Sequence, residues 1–214
     1  MRPSKYLVKL QTAAIKRVQR LKRSLSLSSH PSNAPEICLA NTTIEALNTW
    51  NNFSRSFYLS CTLNPRAVNG NRITTTVVTA NFNDAIGCAT LLSKPNITPN
   101  PYGIWDRRYE PTWHDSNIFL RVCRHIGCSN IDNIVDGLSG GQTFFSDLST
   151  FRNFYAHRNQ QTANKAMNKS LRYSISATLR PSEALRSFPI NETSTLLEKW
   201  LDEIEFTIKY LCYE

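Results

Sequence analysis

Apolar residues between positions 144 and 155 recur at intervals that align them on one face of an α-helix. The residues of this series are Phe144, Leu148, Phe151 and Tyr155. Their steps of four, three and four match the repeat of a helix with about 3.6 residues per turn. We therefore predict a helix over residues 143–168, preceded by a break at Ser139-Gly140-Gly141.

Two polar residues lie on the opposite side of this predicted helix. Asn153 and His157 are four residues apart and stack on one another, and their common direction points away from the apolar face. Arg152 lies at the boundary between the faces, with a side chain long enough to reach round. A core histidine would lie on the apolar face, so we predict that His157 faces solvent, a cleft or a second subunit.

Arginine and histidine are the two residue types that metal-free phosphodiester chemistry needs. Arginine is a fixed cation for phosphate oxygens, and histidine can move protons near neutral pH. Spacing alone is not selective, because Arg23 also precedes His30 and Arg108 also precedes His114. The first of these pairs runs into a serine-rich helix end, and the second is interrupted by Pro111. Only Arg152 has a helix around it and an asparagine directly after it.

The segment Arg152-Asn153-Phe-Tyr-Ala-His157 resembles the R-N-x-x-x-H form of the motif of the HEPN superfamily, whose members act in toxin, defence and RNA-processing systems. An apolar helix upstream of the motif and an aromatic helix around residues 49–58 agree with the resemblance. It implies an all-α, HEPN-like antiparallel helical bundle that homodimerises, so that two motif helices form a composite cleft.

The resemblance also implies an activity. Members with an intact motif are metal-independent endoribonucleases, so no cofactor is expected, and the substrate would be single-stranded RNA or tRNA. His157 would act as general acid or base, Arg152 would stabilise the charged phosphorane, and Asn153 would orient the histidine or the phosphate. An antitoxin or defence partner protein would accompany such a toxin or antiviral effector. Some family toxins carry a tyrosine two positions after the histidine, and Asn159 stands there in this chain.

Other interpretations of the same residues stay open. One is a non-catalytic, HEPN-like helical module that binds RNA, a nucleotide or a partner protein. Another is a basic nucleic-acid-binding scaffold in which Arg152, Asn153 and His157 are ordinary surface residues. Cleavage of RNA that depends on His157 and survives a chelator would separate the first hypothesis from the other two.

Composition sets wider limits. The 214 residues are 41% hydrophobic, which supports a folded core, and the net charge of +9 favours polyanionic partners such as RNA. No apolar run approaches the ~18–20 residues that span a bilayer, and the first residues lack a hydrophobic signal core. The six cysteines show no disulfide-framework spacing. We therefore predict a cytoplasmic protein without a membrane partner.

The N-terminal region is predicted to be a separate basic segment. Residues 1–35 comprise a basic amphipathic helix over residues 4–26 and a linker from residue 27, and residues 36–214 comprise the helical bundle domain. The basic face of the first helix includes Lys16 and Arg20. It is interpreted as a solvated face, as a surface for RNA phosphates, or as an organelle transit peptide.

Three further segments carry possible chemistry. Residues 95–113 form a long loop with four prolines. Within it, Trp105-Asp106-Arg107-Arg108-Tyr109 mixes aromatic and cationic residues, which makes Arg107 and Arg108 candidate RNA contacts. Arg158, directly after the motif, is a further candidate RNA contact. Cys123 and Cys128 flank His125, but no second ligand pair accompanies them, so we predict no metal site. The Gly-Gly-Gln triplet at 140–142 is interpreted as a flexible break.

Overall fold

Helices provide the regular secondary structure of the residues that the structure describes, which confirms the predicted all-α class. The computed structural model describes residues 1–27, 34–140, 142–177 and 179–214, and no β-strand is found within these ranges. The helices found there are α1 (Leu7–Ser26), α2 (Glu36–Cys61), α3 (Phe82–Ser93), α4 (Ser116–His125), α5 (Ile131–Ser139), α6 (Phe144–His157), α7 (Gln160–Ser170), α8 (Pro181–Arg186) and α9 (Leu196–Leu211). Single 3₁₀ turns occur at Arg107–Tyr109 and Leu171–Tyr173.

The chain divides into two compact units. The first unit comprises Met1–Ala14, Trp50–Gly140 and Thr207–Glu214, and the second comprises Ile15–Thr49 and Gly141–Phe206. The helices α1, α2 and α9 therefore contribute residues to both units. The predicted division of the chain at residue 35 stays a prediction.

The first unit has an aromatic core built on the second half of α2. Trp50, Phe53 and Phe57 follow one another at helical spacing, and all three are fully buried. Phe119 of α4 meets Trp50 and Phe57 edge-on, at ring-centroid distances of 6.1 and 5.9 Å. Tyr58 packs against the Trp113 ring at 5.3 Å and donates its hydroxyl hydrogen bond to the Ala85 carbonyl oxygen at 2.7 Å. These contacts fix the segment around Trp113 to α2.

The second unit has its core between α6 and α9. Trp200 of α9 is fully buried and meets the Phe151 ring edge-on at 5.2 Å. Leu148 of α6 and Leu201 of α9 are also fully buried. Each large aromatic buried in this way stabilises the fold by about 1.5–3 kcal/mol through removal of apolar surface from water. The core therefore holds one side of α6 rigidly and leaves the other side for other contacts.

The second helix starts earlier than its sequence predicted. The residues Thr42-Thr43-Ile44-Glu45 have the pattern of a capped helix start, but α2 begins at Glu36. The carbonyl oxygen of Pro35 accepts the backbone N–H groups of Cys38 and Leu39 at 2.9 and 3.1 Å. Proline is well suited to a helix start because its φ is preset and its missing N–H is not needed there. Part of the predicted linker, including His30, lies outside the described residues.

Two other segments differ from what their residues alone indicate. The β-branched segment 73–78 is typical of a short strand or a helix start, but it forms neither; Ile73 is buried, and the Thr76 N–H donates to the Ile126 carbonyl oxygen at 2.9 Å. Residues 170–192 show no continuous helical pattern, but they contain α8, which Pro181 starts at its first residue. By contrast, Asp115 has the position expected of a helix cap, and its carboxylate accepts the N–H groups of Asn117 and Ile118 at the start of α4.

Candidate functional site

The apolar face predicted for the motif helix is the buried face of α6. Phe144, Leu148 and Phe151 are fully buried and Tyr155 is 5% exposed. Asn153 and His157 are both exposed, and Arg152, between the two faces, is half-buried. The direction predicted for His157 is therefore confirmed: the imidazole projects from the side of α6 that does not serve the core of the second unit.

The three motif residues lie within one helical turn and a half of each other. Arg152 Nη1 donates a hydrogen bond to Asn153 Oδ1 at 3.3 Å, so the asparagine is in contact with the guanidinium group. Asn153 and His157 are neighbours along the helix, with Cβ atoms about 5–6 Å apart at this spacing. Ala156 is exposed beside them and adds no bulk to the surface. The amide and the imidazole thus share an exposed helix face, and the cation lies at the edge of that face.

The motif helix ends sooner than predicted. We expected one helix over residues 143–168, but α6 stops at His157 and α7 starts at Gln160. Arg158 adopts the left-handed conformation (φ 45°, ψ 41°), and its N–H donates to the Phe154 carbonyl oxygen at 2.6 Å. Asn159 then caps α7, because its side-chain oxygen accepts the Thr162 N–H at 2.9 Å. His157 is therefore the last residue of its helix, beside a tight turn.

Asp147 anchors the buried side of α6, and its role was missed from the sequence. Its carboxylate is fully buried and accepts a hydrogen bond from the Tyr173 hydroxyl at 2.8 Å. Lys169 and Arg172 approach the same carboxylate at 3.0 and 3.3 Å. Burial raises the pKa of Tyr173 above its ordinary value, so its hydroxyl stays protonated and serves as a donor. An acidic residue three positions after Phe144, on an apolar stripe, was the available signal.

The first turn of α6 is held by a carboxylate from α9. Glu203 Oε2 accepts the backbone N–H groups of Thr143 and Phe144 at 2.8 and 3.0 Å. Burial raises the pKa of Glu203, although these two backbone donors oppose that shift. A carboxylate at a helix N-terminus satisfies donors that the helix itself leaves unpaired. Glu203 and Asp147 therefore hold the N-terminal part of α6 in place, and the motif occupies the C-terminal end of that helix.

The other candidate RNA contacts are exposed, and they belong to different parts of the chain. Lys16 and Arg20 are one helical turn apart on α1, in the second unit, and both are exposed. Arg158 is exposed in the turn after the motif. Arg107 and Arg108 are exposed on the 3₁₀ turn of the first unit. Arg152 and Asn153 are in direct contact, and Arg158 adjoins the motif in sequence.

The cysteines form no metal site within the described part of the chain. Cys61, Cys123, Cys128 and Cys212 are buried in the first unit, and burial raises the pKa of the Cys61 and Cys123 thiols well above the ordinary value. No group of three or more His, Cys, Asp or Glu side chains among the described residues is arranged to hold a metal ion. The Gly-Gly-Gln triplet includes Gly141, which lies outside the described ranges.

Comparisons of the chain with models of known protein families, with curated protein sequences and with solved structures found no match. The helices of the described ranges also include none with the length and apolarity needed to cross a bilayer.

Proposed function

We propose that this protein is a metal-independent endoribonuclease that cleaves RNA at a site assembled from two copies of the chain. The observation that carries the proposal is the arrangement on α6. Asn153 and His157 lie on the exposed side of a helix whose opposite side is buried, and the half-buried Arg152 lies between the two sides, in contact with Asn153. This arrangement gives the residues of the R-N-x-x-x-H motif a rigid support and access to a large substrate.

The reaction that suits these groups is transesterification within the RNA backbone. The ribose 2′-oxygen attacks the adjacent phosphorus, a bond from phosphorus to the 2′-oxygen forms, and the bond to the 5′-oxygen breaks. A base takes the proton of the 2′-hydroxyl, and an acid gives a proton to the leaving 5′-oxygen. The products are a 2′,3′-cyclic phosphate and a 5′-hydroxyl, and neither a metal ion nor another co-reactant is consumed.

Each motif residue has a defined role in this proposal. The His157 imidazole exchanges the proton with a ribose or leaving oxygen. The Arg152 guanidinium group stabilises the negative charge that grows on the phosphoryl oxygens in the transition state. Asn153 contacts Arg152 at 3.3 Å and thereby orients the guanidinium group towards the phosphate.

The proposed reaction calls for a homodimer, because each chain contributes only one motif histidine to the site. One copy of the motif provides a single histidine, whereas this reaction uses both a base and an acid. A second copy related by a twofold axis would bring a second His157 to the same phosphate, since a twofold interface is formed by the same surface of both copies. The exposure of Ala156 beside His157 leaves room for a facing helix.

The resemblance to toxin and defence proteins suggests the cellular role of the proposed ribonuclease. We infer a toxin or antiviral effector that acts on single-stranded RNA or tRNA in the cytoplasm, with an antitoxin or defence protein as its partner. The chain's net charge of +9 supports a polyanionic substrate.

A cleavage assay in the presence of EDTA tests the proposal. Wild-type protein should cut total RNA, and His157→Ala should lower the rate by about 10²–10⁴-fold, the usual contribution of general acid–base catalysis. The matched control is His125→Ala, because His125 is also an exposed histidine at the last position of a helix, α4. Equal RNA cleavage by wild type and His157→Ala would refute the enzyme, and RNA binding without cleavage would favour the non-catalytic module.

Subunit mixing tests the composite site. Wild type and His157→Ala are combined in equal amounts and allowed to exchange subunits. If two intact motifs form each site, about a quarter of the dimers stay active, whereas independent sites would leave about half of the wild-type activity. Retention of half of the activity would therefore exclude a site that uses both histidines.

A further inference from the structure

A polar cleft of the first unit has features of a binding site and lies outside the motif. Its volume is about 240 Å³. One wall is formed by Asn51 and Arg55 of α2, and the other by Arg107 and residues 110–114. The first unit contains none of the motif residues.

Arg55 is held in a fixed orientation within this cleft. Its Nε donates to Glu110 Oε2 at 2.6 Å and its Nη2 donates to Glu110 Oε1 at 2.9 Å, which is the two-pronged pairing of guanidinium and carboxylate. Trp113 Nε1 donates a third hydrogen bond to Glu110 Oε2 at 2.9 Å. The carboxylate is therefore fully engaged, while Nη1 of Arg55 has no hydrogen-bond partner within the described residues. Its side chain is 31% exposed and lines the cleft.

Arg107 provides a second cation that no carboxylate neutralises in the described part of the chain. Its Nη2 donates to the amide oxygen of Asn52 at 3.3 Å. The adjacent Arg108 differs, because it pairs with Asp106 at 3.3 Å and lies over the Tyr109 ring at 4.6 Å. Two neighbouring exposed arginines are thus in different states: Arg107 lines the cleft and Arg108 is paired outside it.

We propose that this cleft binds a phosphoryl oxyanion, either a phosphodiester of an RNA strand or free phosphate. Two guanidinium groups face one carboxylate among its described lining residues, which leaves a net positive charge for an anion. Guanidinium groups match phosphate oxygens in geometry as well as charge. The volume is below the ~300–1,000 Å³ of sites that enclose drug-sized ligands, which fits a single phosphoryl group better than a whole nucleotide.

If the ligand is an RNA phosphodiester, the inference rests on the proposed function, because an RNA substrate carries backbone phosphates besides the one that is cleaved. In that case Arg55 and Arg107 position the strand, and they take no part in the chemistry. Phosphate contacts of this kind add affinity and salt dependence without reading sequence.

Two adjacent substitutions test the cleft. Arg107→Ala removes the cation of the cleft that no carboxylate pairs with, and Arg108→Ala removes another exposed cation of the same turn. Both are made in the full-length His157→Ala protein, so that RNA is not cut during the measurement. Inorganic phosphate is titrated calorimetrically, and a short labelled single-stranded RNA is titrated by fluorescence anisotropy at several salt concentrations.

We expect Arg107→Ala to weaken binding about tenfold or more, the equivalent of one charge-assisted hydrogen bond, and Arg108→Ala to have little effect. If the ligand is an RNA phosphodiester, Arg107→Ala also lowers the slope of log affinity against log salt by about 0.7. Selective weakening of phosphate binding alone identifies free phosphate as the ligand.

Equal effects of the two substitutions, or none, overturn the inference, because a diffuse positive surface would not distinguish the two arginines. Such a result does not contradict the proposed ribonuclease function if wild type still cuts RNA in a His157-dependent manner. Conversely, absence of cleavage together with Arg107-dependent phosphate binding contradicts the ribonuclease function and supports the phosphate site in the cleft.

Discussion

Loss of the buried Asp147 carboxylate should destabilise the second unit. We predict that Asp147→Ala lowers the free energy of unfolding by about 3 kcal/mol. Most of this loss comes from the buried Tyr173 hydroxyl, which no longer has the Asp147 carboxylate as its acceptor at 2.8 Å. A hydrogen bond to a charged group contributes about 1.5–3 kcal/mol to the free energy of unfolding. Lys169 and Arg172 are 31% and 57% exposed, so each can turn to water and contributes at most about 1 kcal/mol.

The matched control is Asp202→Ala. Asp202 pairs with Lys22 at 2.6 Å, but its side chain is 61% exposed, and Lys22 keeps a second partner in Glu205. We expect this substitution to cost less than about 1 kcal/mol. Unfolding in urea, followed by far-UV circular dichroism, gives both values from the transition midpoint and slope.

The loss of unfolding free energy should differ clearly between Asp147→Ala and Asp202→Ala. If Asp147→Ala and Asp202→Ala lose the same stability, the buried carboxylate does not anchor α6 as described. The variant Tyr173→Phe provides a second check, because it removes the hydroxyl donor and leaves both cations in place. It also removes the acceptor of the buried Trp200 Nε1, 3.1 Å from that hydroxyl, so its loss of stability should clearly exceed that of Asp202→Ala.

Three further predictions concern local conformation and packing. Arg158→Gly should raise stability by up to about 1 kcal/mol in thermal unfolding, because glycine adopts the left-handed turn without strain; a lower stability would show that the arginine side chain matters more. In the native protein, only the half-buried Cys38 and Cys88 should react rapidly with a thiol reagent, and the buried thiols should react after unfolding. Gly87→Ala should lower the unfolding midpoint and shift tryptophan emission to the red, since its Cβ would overlap the Trp105 indole; an unchanged spectrum and midpoint would contradict that packing.

Much of the motif helix could be predicted from its own residues. The series from Phe144 to Tyr155 determines which side of α6 is buried, and therefore that Asn153 and His157 are exposed. Periodicity reports this reliably because residues four apart share a face whatever the helix packs against. The ribonuclease role assigned to those exposed residues stays a prediction for the cleavage assay.

The ends of the helices were less predictable. Arg158 is not a residue that usually ends a helix, yet its left-handed conformation separates α6 from α7. After that turn α7 packs against α6, and a local sequence pattern contains no information about such packing. Likewise, Thr42 and Thr43 have the pattern of a helix start but are buried inside α2.

The residues along the chain were enough to predict that it is helical, which side of α6 is buried, and that Asn153 and His157 face away from that side with Arg152 at the boundary. The pairs of polar groups that meet across long separations could be known only from the packed fold. The contacts of Asp147 with Tyr173 and of Arg55 with Glu110 join residues 26 and 55 positions apart. Such pairs depend on how whole helices and loops pack, because hydrogen bonds act over about 3 Å and periodicity describes only one helix at a time.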